Sequence, residues 1–243
     1  VYTSADSVFQ IAAHEDVIPV EKLYEICNIA REMLNKPEYN IGTVIARPFV
    51  GTNADNYTRT YNRKDIESET FGRTMLDVLS ENGKKVISIG KINDLFSGRG
   101  IDRAIHTEGN LDGINKTIEE IKKDGDGIIF SNLVDFDMLY GHRNNVEGYS
   151  KALEEFDGKL PEIMDAMKED DILIITADHG NDPSTPSTDH DREYIPILVY
   201  GKRLKKNVNL GIRQTYADIS ATILDINGLE KLKYGTSFKD EIM

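Results

Sequence analysis

Two stretches of this sequence concentrate carboxylates and imidazoles at short range. The first is Asn132-Leu133-Val134-Asp135-Phe136-Asp137-Met138-Leu139-Tyr140-Gly141-His142. The second is Thr176-Ala177-Asp178-His179-Gly180-Asn181-Asp182-Pro183, continuing through Ser184-Thr185-Pro186-Ser187-Thr188 to Asp189-His190. Three of the five histidines fall in these segments. Aspartate and histidine without cysteine form a donor set suited to Mn²⁺, Zn²⁺ or Mg²⁺, and two such clusters suggest two ions. Standing alone, Asp178-His179-Gly180 reads as a turn, with Asp as a cap and Gly supplying positive φ, and residues 183–189 read as a surface loop. The return to a histidine at 190 argues for more. Asp135 and Asp137 are equal candidates, because alternation puts both on one side of an extended strand; the one that binds no metal is then a cap or a solvated charge. His14 and His106 have no partnered motif and read as structural or exposed. Glu119-Glu120 with Lys122-Lys123 reads as a solvated helix face.

The elements that must position these groups follow from periodicity. Apolar residues at helical spacing predict a helix over 19–34, and a β-branched run predicts a strand over 42–46 stopped by Arg47-Pro48. Residues 51–65 are polar and read as irregular. From Phe71 the pattern becomes helix then strand: a helix over 74–81 and a strand over 85–89; a helix over 113–123 and a strand over 128–134; a helix over 149–168 and a strand over 172–176. A strand over 195–200 and a helix after Thr215, with Asp218 completing a Thr-x-x-Asp capping box, close the chain. Alternating helices and buried-type strands imply an α/β fold with a mostly parallel sheet covered on both faces. Both acid-and-imidazole clusters then follow strand ends, where ligands bind in open parallel sheets. The composition shift predicts a smaller α+β piece over 1–68 and an α/β core over 69–243.

Composition narrows the partners. The 243 residues carry 29 Lys+Arg against 42 Asp+Glu, a formal net charge of −13. Such a chain opposes binding to nucleic acid or to an anionic membrane, and small molecules or cations are the expected partners. Apolar runs are strand-sized, shorter than the roughly 18 residues of a membrane helix. The single cysteine, Cys27, excludes internal disulfides and points to a reducing, cytoplasmic setting. No signal peptide is visible after Val1.

Residues 176–183 and 187–190, with Leu133-Val134-Asp135-Phe136-Asp137 and Tyr140-Gly141-His142, resemble the phosphopentomutases of the alkaline phosphatase superfamily. So do Tyr2-Thr3-Ser4-Ala5-Asp6-Ser7-Val8-Phe9-Gln10, Ile45-Ala46-Arg47-Pro48-Phe49 and Gly90-Lys91-Ile92. The likeness runs end to end. It implies an alkaline phosphatase-like core, incomplete here, and a smaller cap domain. It further implies interconversion of ribose 1-phosphate and ribose 5-phosphate, and of the deoxyribose pair, through a phosphothreonine and a sugar bisphosphate activator. Two Mn²⁺ ions are implied, Asp178 and His179 matching ligands of one and Asp137, His142 and His190 matching ligands of the other, which selects Asp137 over Asp135. Ser4, Asp6, Val8 and Ile45 match substrate-contacting positions, and Lys91 matches a residue that pairs with phosphate. The family's nucleophilic threonine and the strand-end aspartate of the first metal site have no counterpart here, so the chain is expected to be an inactive fragment beginning inside the cap. Thr43 stands where many members have an arginine. The competing readings are another metal-dependent phosphatase or phosphoglycerate mutase of the superfamily, and a fragment that only binds metal.

Overall fold

The computed structural model describes residues 1–4, 7–39, 41–68 and 72–243. It is a mixed α/β structure that divides into two compact units, residues 1–72 with 94–98, and residues 73–93 with 99–243.

In the first unit, β1 (Tyr2–Ser4) pairs antiparallel with β2 (Val8–His14), and β2 pairs parallel with β3 (Thr43–Val50). A parallel pair needs a long crossover. Helix α1 (Val20–Leu34) supplies it. Its Leu23 and Cys27 pack on Ala13, Val44 and Ala46, burying the stripe that the sequence placed at helical spacing. Two short strands, β4 (Thr58–Arg59) and β5 (Lys64–Glu67), add antiparallel to β3. They lie where the sequence read as irregular.

Strand β3 also runs through Arg47-Pro48 instead of stopping there. The carbonyl of Pro48 accepts from the Thr60 N–H at 3.1 Å. The Pro48 nitrogen, which carries no hydrogen, faces the same side, in the gap where pairing with β5 ends at Ala46 and pairing with β4 begins at Phe49. The proline falls at the end of the β3–β4 ladder, where the one bond it cannot make is the reciprocal one to the Thr60 carbonyl.

The second unit contains α2 (Met75–Glu81), β6 (Lys85–Ile89), β7 (Arg103–Ile105), α4 (Asn110–Ile121), β8 (Gly127–Ser131), α5 (Val146–Ala166), β9 (Ile172–Thr176), β10 (Ile197–Gly201), α6 (Ala217–Ile226) and α7 (Lys239–Ile242); the short α3 (Ile92–Leu95) follows β6. Strands β7, β6 and β8 form a parallel sheet in that order. Strands β9 and β10 pair antiparallel in a separate two-stranded sheet. Ile114 and Ile118 of α4 pack with Ile163 of α5 and with Leu133 and Leu173, which tie the helices to the ends of β8 and β9.

Three local expectations are corrected. Strand β8 ends at Ser131, and the chain then coils into a π-helical turn (Phe136–Tyr140) and a 3₁₀ turn (Gly141–Arg143), so Asp135 and Asp137 are not on an extended strand. Asp218 makes no capping box at α6. Its buried carboxylate accepts from Arg213 Nε at 3.2 Å and from the Thr236 N–H at 2.8 Å. Glu120 is not solvated either: it is buried and paired with Arg103 and Lys123.

Candidate metal centre

The loops after β8 and β9 meet. A single antiparallel bridge between Gly180 and Asp191, with the Asp191 N–H donating to the Gly180 carbonyl at 2.8 Å, closes residues 181–190 into a loop. That closure brings His190 back onto His179, their rings stacked at 3.6 Å and 20°. Within the loop, the Asp182 carboxylate accepts from Ser184 N at 2.8 Å and Ser184 Oγ at 2.6 Å, and these bonds hold its pKa below the usual carboxylate range. From the other side, Asn144 Nδ2 donates to the Thr185 carbonyl at 2.6 Å, and His142 Nδ1 lies 2.5 Å from the Thr188 carbonyl. Asn144 holds φ +49, a left-handed conformation that asparagine tolerates.

Asp137 is the common point. His190 Nε2 lies 3.0 Å from its Oδ1, His142 Nε2 lies 3.2 Å away, and His179 Nε2 lies 4.0 Å away. One ligand atom from each of Asp137, His179 and His190 falls within 4.8 Å of the others. A carbonyl only accepts, so the His142 Nδ1 donates to that of Thr188. This is the second partner that orients a metal-binding imidazole. Asp178 stands beside the group, its Oδ1 3.7 Å from His179 Nε2. Tyr149, whose ring packs on Phe136 at 5.2 Å, feels the negative field: burial first, then Asp182, Asp137 and Asp178, push its pKa up.

Asp135 faces elsewhere. Its Oδ2 accepts from the Asn110 N–H at 2.6 Å, and its own N–H donates to Asn110 Oδ1 at 2.9 Å, so it satisfies the first turn of α4. His14 Nε2 sits 2.6 Å from the Gly51 carbonyl, and the His106 backbone carbonyl accepts from Lys116 Nζ at 2.9 Å.

The remaining sequence candidates lie apart in the chain. Lys91 follows Gly90 at the end of β6. Ser4 ends β1, Val8 opens β2 and Ile45 lies in β3, while Asp6 falls outside the described residues. The β2–β3 register pairs Val8 with Thr43, Gln10 with Ile45 and Ala12 with Arg47, which puts Val8, Gln10, Ile45 and Arg47 on the sheet face away from α1. On that face a cleft of about 300 Å³ is lined by Tyr2, Ala12, Arg47, Phe49, Tyr57 and Arg59. Burial first, then the like charges of Arg63 and Arg59, push the Arg47 pKa down. Sequence reasoning missed this arginine-rich cleft. Its signal was present in the strand alternation of Arg47 and in the arginines at 59 and 63, inside a stretch that read as irregular.

Comparison with known proteins adds identity to this geometry. The model of the metalloenzyme superfamily matches residues 51–231. Curated phosphopentomutases align with the whole chain: that of Kosmotoga olearia is 58% identical over 243 residues, and that of Acetivibrio thermocellus 56% identical over 243 residues. The chain spans 62% of the length of each of these relatives. The structure of the PH0037 protein from Pyrococcus horikoshii superposes with a TM-score of 0.46 at 16% identity, covering 74% of this chain and 52% of that one.

Proposed function

Because this chain belongs to the metalloenzyme superfamily, we propose that it is the metal-binding part of a phosphopentomutase, which interconverts ribose 1-phosphate and ribose 5-phosphate and the corresponding deoxyribose pair. The observation that carries this reading is the approach of the His142 and His190 Nε2 atoms to one Asp137 oxygen, in a chain 56% and 58% identical along its whole length to proteins of that name.

The residues fit a divalent ion. A carboxylate surrounded by imidazoles, one with its Nδ1–H fixed by a carbonyl, is chemistry suited to Mn²⁺ or Zn²⁺. We assign Asp137, His142 and His190 to one Mn²⁺ and Asp178 and His179 to a second. Asp137 and His190 belong together on this assignment and on distances alone; distances also draw in His179. An ion bound there supplies positive charge to transferring phosphoryl oxygens. The protein's own part is to aim the imidazoles inward, and to hold Asp137 where it compensates the ion's charge.

Ser4, Asp6, Val8, Ile45 and Lys91 are assigned to substrate contact. The arginine-rich cleft at Arg47 and Arg59 suits an anionic sugar phosphate, since guanidinium groups bind phosphate in bidentate fashion. The phosphorylated threonine is assigned to sequence outside residues 1–243, and a sugar bisphosphate to its activation. A cytoplasmic location fits the single cysteine. Among the described residues no helix is long and apolar enough to cross a membrane.

The test is an assay of the full-length protein with Mn²⁺ and ribose 1-phosphate. Formation of ribose 5-phosphate without release of inorganic phosphate is expected. Stoichiometric release of inorganic phosphate would assign a phosphohydrolase instead.

A further inference from the structure

We propose that Asn181 is a positioning residue for Asp137, and that Gly141 lacks a side chain in order to seat its amide. The inference rests on the metal-centre reading above and extends it beyond the ligands themselves.

Asn181 Nδ2 donates to Asp137 Oδ1 at 3.1 Å, the same oxygen that His142 and His190 approach. The direction of the amide is fixed by charge, because turning it over would set its carbonyl oxygen against the carboxylate. Its own Oδ1 is buried and, among the described residues, has no hydrogen-bond partner. A buried acceptor left unpaired is costly, and a hydrogen bond to a charged acceptor is the stronger kind that offsets such a cost. The orientation is therefore held for Asp137.

The seat for this amide is Gly141. A Cβ at Gly141 would lie 2.5 Å from Asn181 Nδ2, 2.6 Å from its Cγ and 2.8 Å from its Oδ1. The Gly141 backbone has φ −59° and ψ −62°, which alanine adopts freely, so the barrier to a side chain there is contact with Asn181. Gly141 also opens the 3₁₀ turn that carries His142. One amide, carried on the loop that leads to His190, thus touches the turn bearing Asp137 and the turn bearing His142. Partners of ligating carboxylates of this kind typically change metal affinity by about 10- to 100-fold when removed.

The seating predicts a specific non-additivity. In the full-length protein, Asn181→Ala should weaken Mn²⁺ binding, followed by the free Mn²⁺ electron paramagnetic resonance signal, by about 10- to 100-fold. Gly141→Ala should do the same by displacing the amide. In the Asn181→Ala background, adding Gly141→Ala should change the affinity by no more than about twofold, because the group it displaces is gone. Thermal unfolding of the metal-free proteins serves as the control and should move far less than the affinity does. Should Asn181→Ala fail to fold, Gly141→Ala alone carries the test, since it removes no side chain. Mn²⁺ affinity in Asn181→Ala equal to that of the parent, or equal loss from Gly141→Ala in both backgrounds, overturns the proposal while leaving the metal centre standing. Absence of Mn²⁺ binding by the parent protein overturns both.

Discussion

At the residue scale, substitutions at Asp135 and at His190 are expected to separate stability from chemistry. Asp135 accepts from the Asn110 N–H at the start of α4, so Asp135→Ala should cost about 1 kcal/mol of folding stability, as loss of a helix cap does. Its Mn²⁺ affinity should stay at the parent value, read by chemical denaturation and metal titration side by side. His190→Ala should do the reverse. Its ring is half exposed at 48% and bonds Asp137, so the fold should tolerate its loss, while turnover in the full-length protein falls by roughly 10²-fold or more at limiting Mn²⁺. Near-normal turnover would count against the assignment. The two aspartates were indistinguishable by spacing because that comparison assumed an extended chain; the π-helical turn, invisible in the hydrophobic pattern, is what points them apart. His190 was legible as a candidate because it recurs within a strand-end segment. The contact with His179 depends on the Gly180–Asp191 bridge, which no periodicity announces.

At the element scale, the start of α2 offers a pH-dependent test. Thr74 and Asp77 form a reciprocal capping box: Asp77 Oδ2 accepts from Thr74 N at 2.6 Å, and Asp77 N donates to Thr74 Oγ1 at 3.3 Å. Arg99 Nε adds a bond to Asp77 Oδ1 at 2.9 Å. Burial alone would raise the Asp77 pKa, but the Thr74 hydrogen bonds and the Arg99 charge outweigh it and hold it below the usual carboxylate range. The folded pKa thus lies below the unfolded value of about 3.9. The contribution is complete above about pH 5 and is lost as pH falls through the folded value. Asp77→Asn should accordingly destabilise by about 1 kcal/mol near neutrality, and the difference from the parent should shrink as denaturation is repeated at falling pH. A difference constant down to the acid limb would contradict the ionic account. Helices α1 and α2 and strands β6 and β9 were readable because local pattern and final packing agree. Pro48 and Asp218 misled because their partners, Thr60 and Thr236, are settled by tertiary contacts.

At the scale of the whole molecule, an ion held only by the folded chain must stabilise it. Mn²⁺ at about a hundredfold over its dissociation constant should add roughly 2.7 kcal/mol to unfolding, and a chelator should remove that increment. Thermal unfolding with and without metal checks this. The most direct test of the central claim is anomalous diffraction at the manganese edge from crystals of the full-length protein grown with Mn²⁺. The expected result is a peak bonded to Asp137 and His190 at about 2.0–2.3 Å, with His142 completing that ion and a second peak at Asp178 and His179. A single peak bonded to Asp137, His179 and His190 would replace the two-ion assignment, and no peak within bonding distance of Asp137 would contradict the metal centre itself.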